Sequence, residues 1–200
     1  MMNILLSRTS ICVAAFALAS FPPALAQAHP VNTSRSTMTI RVGKAGLFSA
    51  FGHEHQISAP IARGEIDASG QSSINHPRVE IQVKSGEMKV LDAEASSADR
   101  ARIQQTMLSP AVLDSKKYPD IRFRSTTFKK VESKRWLVTG ELTLHGQTHP
   151  VNVDVRGGDG EYRGSARLRQ TEFGITPVKV GGGSVRVKDE ITIDFDIFTR

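Results

Sequence analysis

Apolar and polar side chains alternate with a period of two over much of this chain. Met38, Ile40 and Val42 are set against Thr37, Thr39 and Arg41, the pattern of a strand that buries one face. The same alternation returns with Val79, Ile81 and Val83, with Ile121 and Phe123, with Val151, Val153 and Val155, and with Ile191, Ile193, Phe195 and Ile197. The longest run places Trp136, Val138, Gly140, Leu142 and Leu144 on one face and Leu137, Thr139, Glu141, Thr143 and His145 on the other. Gly146-Gln147 then breaks it, and a hairpin leads into Val151. Weaker strands over 61–68 and 162–168 bring the total to about eight, separated by Gly, Asp, Asn and Pro signals, as in an antiparallel meander.

One stretch departs from this period. Ser96 and Ser97 can cap a helix with Ile103 and Met107 on one face, Ser109-Pro110 can start a second short helix, and Tyr118-Pro119 stops it. A helical insert between strands can close a barrel end or cover an open sheet edge. Eight antiparallel strands can form a barrel that either packs solid or holds one small ligand. A two-sheet sandwich satisfies the same alternation, so period alone leaves both architectures open.

The amino terminus predicts export. Arg8, the apolar stretch Ile11 to Phe21, and the small-residue patterns Ala24-Leu25-Ala26 and Ala26-Gln27-Ala28 form a cleavable signal over residues 1–28, leaving one domain over 29–200 in the periplasm. The single cysteine, Cys12, falls within that signal, so the mature domain has no disulfide and takes its stability from packing and strand pairing. Formal charge is +6 for the whole sequence, and loss of Arg8 leaves +5. The basic residues are scattered among acidic neighbours, which gives nucleic-acid binding little support. A mild basic excess suits transient contact with a membrane surface or anionic headgroups, and equally an ordinary solvated surface.

Three segments resemble the YceI-like family. Leu113-Asp114-Ser115-Lys116-Lys117-Tyr118-Pro119-Asp120-Ile121-Arg122-Phe123 is similar to its YP-x-I-x-F segment. Gly140-Glu141-Leu142-Thr143-Leu144-His145-Gly146-Gln147-Thr148-His149-Pro150-Val151 is similar to its G-x-LT-x-x-G-x-T-x-PV hairpin. Phe173-Gly174-Ile175, followed by Val187-Lys188-Asp189-Glu190, resembles its closing region. The resemblance implies an all-β, eight-stranded antiparallel lipocalin-like barrel with a short helical insert, exported to the periplasm, with an apolar tunnel that in some members holds a polyisoprenoid. His145 and His149 stand where many relatives are expected to have basic or aliphatic residues.

Alternation points Met38, Ile40, Val42, Phe123, Trp136, Val138, Leu142, Val153, Ile193 and Phe195 to one interior. On pattern alone these form a solid core or line a hollow one; the resemblance implies a hollow that binds a long apolar lipid. Leu47, Phe48 and Phe51, in a glycine-punctuated loop, join them as a plug over the barrel mouth or a gate that touches ligand. A second reading uses His53 and His55, one residue apart and therefore on one side of an extended chain, as metal or cofactor ligands in a redox or stress protein, with His145 and His149 as further donors. Their spacing matches none of the strong zinc signatures. A third reading is an interaction protein with a filled barrel. Catalysis has no candidate: no serine sits in a strand-turn-helix elbow, and Asp194 and Asp196 alternate with Ile193 and Phe195, so they point outward.

Overall fold

The computed structural model describes residues 28–45, 54–67, 77–180 and 185–200. The expected signal segment, apart from Ala28, and the loop carrying Leu47, Phe48, Phe51 and His53 lie outside them.

The described residues form β1 (His29–Pro30), β2 (Thr37–Ala45), β3 (His55–Ser58), β4 (Ile61–Asp67), β5 (Arg78–Lys84), β6 (Lys89–Val90), α1 (Ser97–Leu108), β7 (Asp120–Glu132), β8 (Arg135–Leu144), β9 (Gln147–Gly158), β10 (Glu161–Arg169), β11 (Lys179–Val180) and β12 (Val185–Phe198). All strand pairs are antiparallel, and eleven strands run in the order β1-β4-β5-β7-β8-β9-β10-β12-β2-β3-β6, with β11 attached to β12. Among the described residues the fold is therefore an all-β, curled antiparallel sheet with one α-helix. Its strands number twelve among the described residues rather than the eight expected. The excess has two sources: β1, β6 and β11 are pairs of residues too short to leave a period, and the four-residue β3 precedes the expected strand β4, divided from it at Ala59-Pro60, where proline has no N–H to give the ladder.

That division also curls the sheet round. β3 pairs with β2 and β4 pairs with β5, so one bent segment joins the two sides of the sheet. Backbone N–H groups of the amino-terminal segment stitch the seam further, Val31 donating to Gly64 O at 2.8 Å and Asn32 to Phe198 O at 2.7 Å.

Turn chemistry corrects two further expectations. The β8–β9 hairpin turns at His145-Gly146, with φ of 51° and 76°, rather than at Gly146-Gln147. Two consecutive positive φ values are what a two-residue type I′ hairpin requires, and Asp159-Gly160, at 55° and 88°, repeats the device between β9 and β10. After α1, Ser109-Pro110 leads into hydrogen-bonded turns instead of a second helix. Ser109 Oγ donates to Thr106 O at 2.7 Å and Leu113 N reaches back to Met107 O at 3.0 Å, so local bonds close the helix end and turn Leu113 into the core.

The helix itself begins as its sequence dictates: Ser96 Oγ accepts from Asp99 N at 3.1 Å. Its Gln104 satisfies the edge of β6, accepting from Val90 N and donating to Met88 O, both at 2.8 Å. The insert thus covers a sheet edge, and its buried Met107 faces the interior.

Candidate functional site

The interior of the sheet is hollow. A cavity of about 550 Å³ runs through it, bordered by the inward faces of β2, β4, β5, β7, β8, β9, β10 and β12. Val42, Ile57, Val83, Val138, Leu142, Val151, Val153, Leu168 and Ile191 are buried from outside water yet border this space. The volume falls within the range of small-molecule sites, and a nearly unbroken apolar lining suits an apolar guest.

Every described residue that alternation points inward lies on the cavity wall: Met38, Ile40, Val42, Phe123, Trp136, Val138, Leu142, Val153, Ile193 and Phe195. Leu47, Phe48 and Phe51 lie outside the described residues. Trp136 is half-buried at the rim rather than enclosed in a core. A glycine helps keep the hollow open: a Cβ on Gly140 would stand 2.4 Å from the Phe123 ring, so the bare backbone lets that ring lie against the wall.

The two ends of the cavity differ. One is closed by Met88, Met107, Val112, Leu113, Gln170 and Ile175, supplied by α1, the segments before and after it, and the turn that follows β10. Here the three resemblance segments meet. Tyr118 packs edge-on against His145 at 4.7 Å between ring centroids, and a Cβ on Gly146 would come within 2.5 Å of the Tyr118 ring. The His145 ring Nδ1 lies 3.2 Å from Phe173 O, His149 meets the Phe173 ring edge-on at 5.3 Å, and Phe173 is fully buried. Asp189 accepts from Thr171 N at 2.9 Å and Thr171 Oγ1 at 2.8 Å, tying β12 to the turn that holds Phe173. The motifs therefore supply Leu113 and Ile175 to the floor and pack the layer behind it.

The other end is a polar mouth formed by the β7–β8 and β9–β10 turns. Lys130, Ser133, Lys134, Asp159 and Tyr162 line it, together with Gly157 and Gly158. Lys130 Nζ lies 5.8 Å above the Trp136 ring, and Lys134 Nζ donates to Asp159 Oδ2 at 2.9 Å. Burial beside the apolar wall holds the Tyr162 phenol above its ordinary ionisation range. Sequence reasoning missed these mouth residues because hairpin tips interrupt the two-residue period; the Asp159-Gly160 turn signal marked the place.

Three of the four candidate histidines, His55, His145 and His149, lie among the described residues and make structural contacts. His55 Nδ1 is bonded to the Asp92 carboxylate, whose second oxygen accepts from Gln56 N at 2.9 Å, while Arg100 Nη1 donates to Asp92 O at 2.7 Å. This linkage ties β3 to the segment before α1. His145 and His149 pack around Phe173, as above. Among the described residues no group of three or more His, Cys, Asp or Glu side chains is placed to hold a metal ion. Asp194 and Asp196 sit on the outer face, paired with Arg41 and Arg163 at 2.6 Å each.

The family model for the YceI-like domain matches residues 30–198. The chain belongs to the YceI-like family. Two similar proteins are a UPF0312 protein of Pseudomonas putida, 31% identical over 119 residues that make up 54% of this chain and 60% of the relative, and a UPF0312 protein of Photorhabdus laumondii, 35% identical over 72 residues, 35% of either chain. The chain thus aligns with less than two thirds of the length of these curated relatives. Among solved structures, Burkholderia cenocepacia BcnA superposes with a TM-score of 0.59 at 17% identity, covering 84% of this chain and 98% of BcnA. At that identity the likeness establishes the fold, and YceI-like proteins of this barrel type are typically binding proteins rather than enzymes.

Proposed function

We propose that this YceI-like protein is a periplasmic binding protein that carries a long apolar lipid, of the polyisoprenoid kind, with its chain in the barrel interior. The observation that carries the reading is the cavity of about 550 Å³, apolar from its floor to a mouth where the polar residues gather. Such a distribution suits an amphiphile whose tail is buried and whose polar end stays near water. Affinity then comes from burial, with up to about 0.8 kcal/mol for each methylene removed from water, until the tail reaches the Met107 and Leu113 floor. Among the described lining residues no nucleophile is paired with a base, which suits sequestration or carriage without a chemical step.

Native mass spectrometry of the protein recovered from its own periplasm tests the proposal. The expected spectrum contains an additional mass, released by organic solvent and identified as an isoprenoid-chain lipid. Recovery of metal-loaded protein, or of protein with no bound lipid that also fails to take up isoprenoid lipids added in detergent, would overturn it.

A further inference from the structure

The mouth carries a feature that the depth of the cavity does not require. At the tip of the β7–β8 hairpin the register slips between Lys130 and Glu132, and the residue in that bulge, Val131, is 49% exposed. Basic side chains surround it. Lys129 is exposed, Lys130 lies over Trp136, and Lys134 completes the turn. Two acids at the hairpin tips are already engaged, Glu132 by Arg135 at 3.3 Å and Asp159 by Lys134 at 2.9 Å. Lys129 and Lys130 are therefore the tip's cations that no carboxylate matches among the described residues.

An exposed aliphatic side chain ringed by lysines, with a half-buried tryptophan just behind it, has the composition of a lipid interface. Lysine stems lie along apolar surface while their ammonium groups reach phosphates. The indole ring tolerates an apolar body and a wet edge, and clustered lysines gain from the negative potential of an anionic leaflet. An acidic polypeptide would satisfy the lysines but would gain little from Val131.

We infer that the tip of the β7–β8 hairpin docks the protein on an anionic bilayer surface, with Val131 entering the headgroup region and the cavity mouth facing the lipid. The advantage of that orientation, direct passage of a ligand between bilayer and cavity, rests on the lipid-carrier reading. The docking itself does not.

The test uses the mature protein with vesicles of phosphatidylcholine alone or mixed with phosphatidylglycerol, read by co-flotation and by the emission of Trp136, the single tryptophan. Binding is expected on the anionic vesicles only. It should weaken as salt rises and the screening length shrinks from about 8 Å at 0.15 M towards about 3 Å at 1 M. Lys129→Glu with Val131→Asp, neither of which lines the cavity, should weaken binding at least about tenfold, since each charge near such a surface counts for about fivefold. Lys89→Glu with Gln105→Asp makes the same change in net charge at the helical end and should leave binding within about twofold. Uptake of isoprenoid lipid from detergent should be equal in all three proteins, which separates failure of docking from failure of the carrier reading. Absence of binding to phosphatidylglycerol vesicles, equal loss in the two variants, or tighter retention on polyglutamate that the same hairpin substitutions remove would overturn the inference.

Discussion

At the scale of single residues, the site depends on side chains that border empty space without filling it. Met38, Ile40, Val138 and Phe195 were legible as interior positions because a half-buried strand forces alternate side chains to one face. Whether that interior was solid was not legible, because a core and a lining obey the same alternation. Tyr162 illustrates the part that pattern could not reach, since its altered ionisation follows from burial at the mouth. With Tyr118→Phe removing the other phenol, an ultraviolet titration should find Tyr162 ionising above the ordinary value of about 10. Because the folded value is the higher one, neutral Tyr162 favours the folded state, and that contribution is intact below pH about 10 and lost as pH rises towards the folded value. A midpoint at or below the ordinary value would show that the mouth leaves this ring in water.

At the scale of elements, long strands were readable and short ones were not. β7, β8, β9 and β12 run for 10 or more residues each, enough for alternation to declare itself, whereas β1, β6 and β11 have two residues apiece and are fixed only by tertiary pairing. The four-residue β3 was not legible either, nor was its pairing, with β4, on opposite sides of the sheet. The family-like hairpin offers a direct check on the floor. Gly146→Ala would force a side chain to adopt φ of 76° and to approach the Tyr118 ring at 2.5 Å. We expect a loss of about 1–3 kcal/mol, seen as a lower urea midpoint with an unchanged slope. An unaltered midpoint would mean that Tyr118 and the turn do not form one packed unit.

At the scale of the whole molecule, a closed floor, an apolar bore and a basic mouth give the barrel a direction. Behind the floor gather Tyr118, His145, Phe173 and Asp189, residues far apart in the chain, which explains why the recognisable segments say little about ligand: they pack the closed end. Of the histidines that suggested a metal, His145 and His149 pack there and His55 joins Asp92, each holding elements together. The central claim is that the bore accepts a chain, and Val138, 4% exposed on its wall, tests it most directly. Binding of a chain-length series of isoprenoid lipids should be measured for the natural protein and for Val138→Phe, with thermal melts alongside. In a bore of this kind the larger ring enters open space, so the melt should change little while long chains lose affinity far more than short ones. A solid interior predicts the reverse: a stability loss of about 1–3 kcal/mol from overpacking, and no dependence of binding on chain length in either protein.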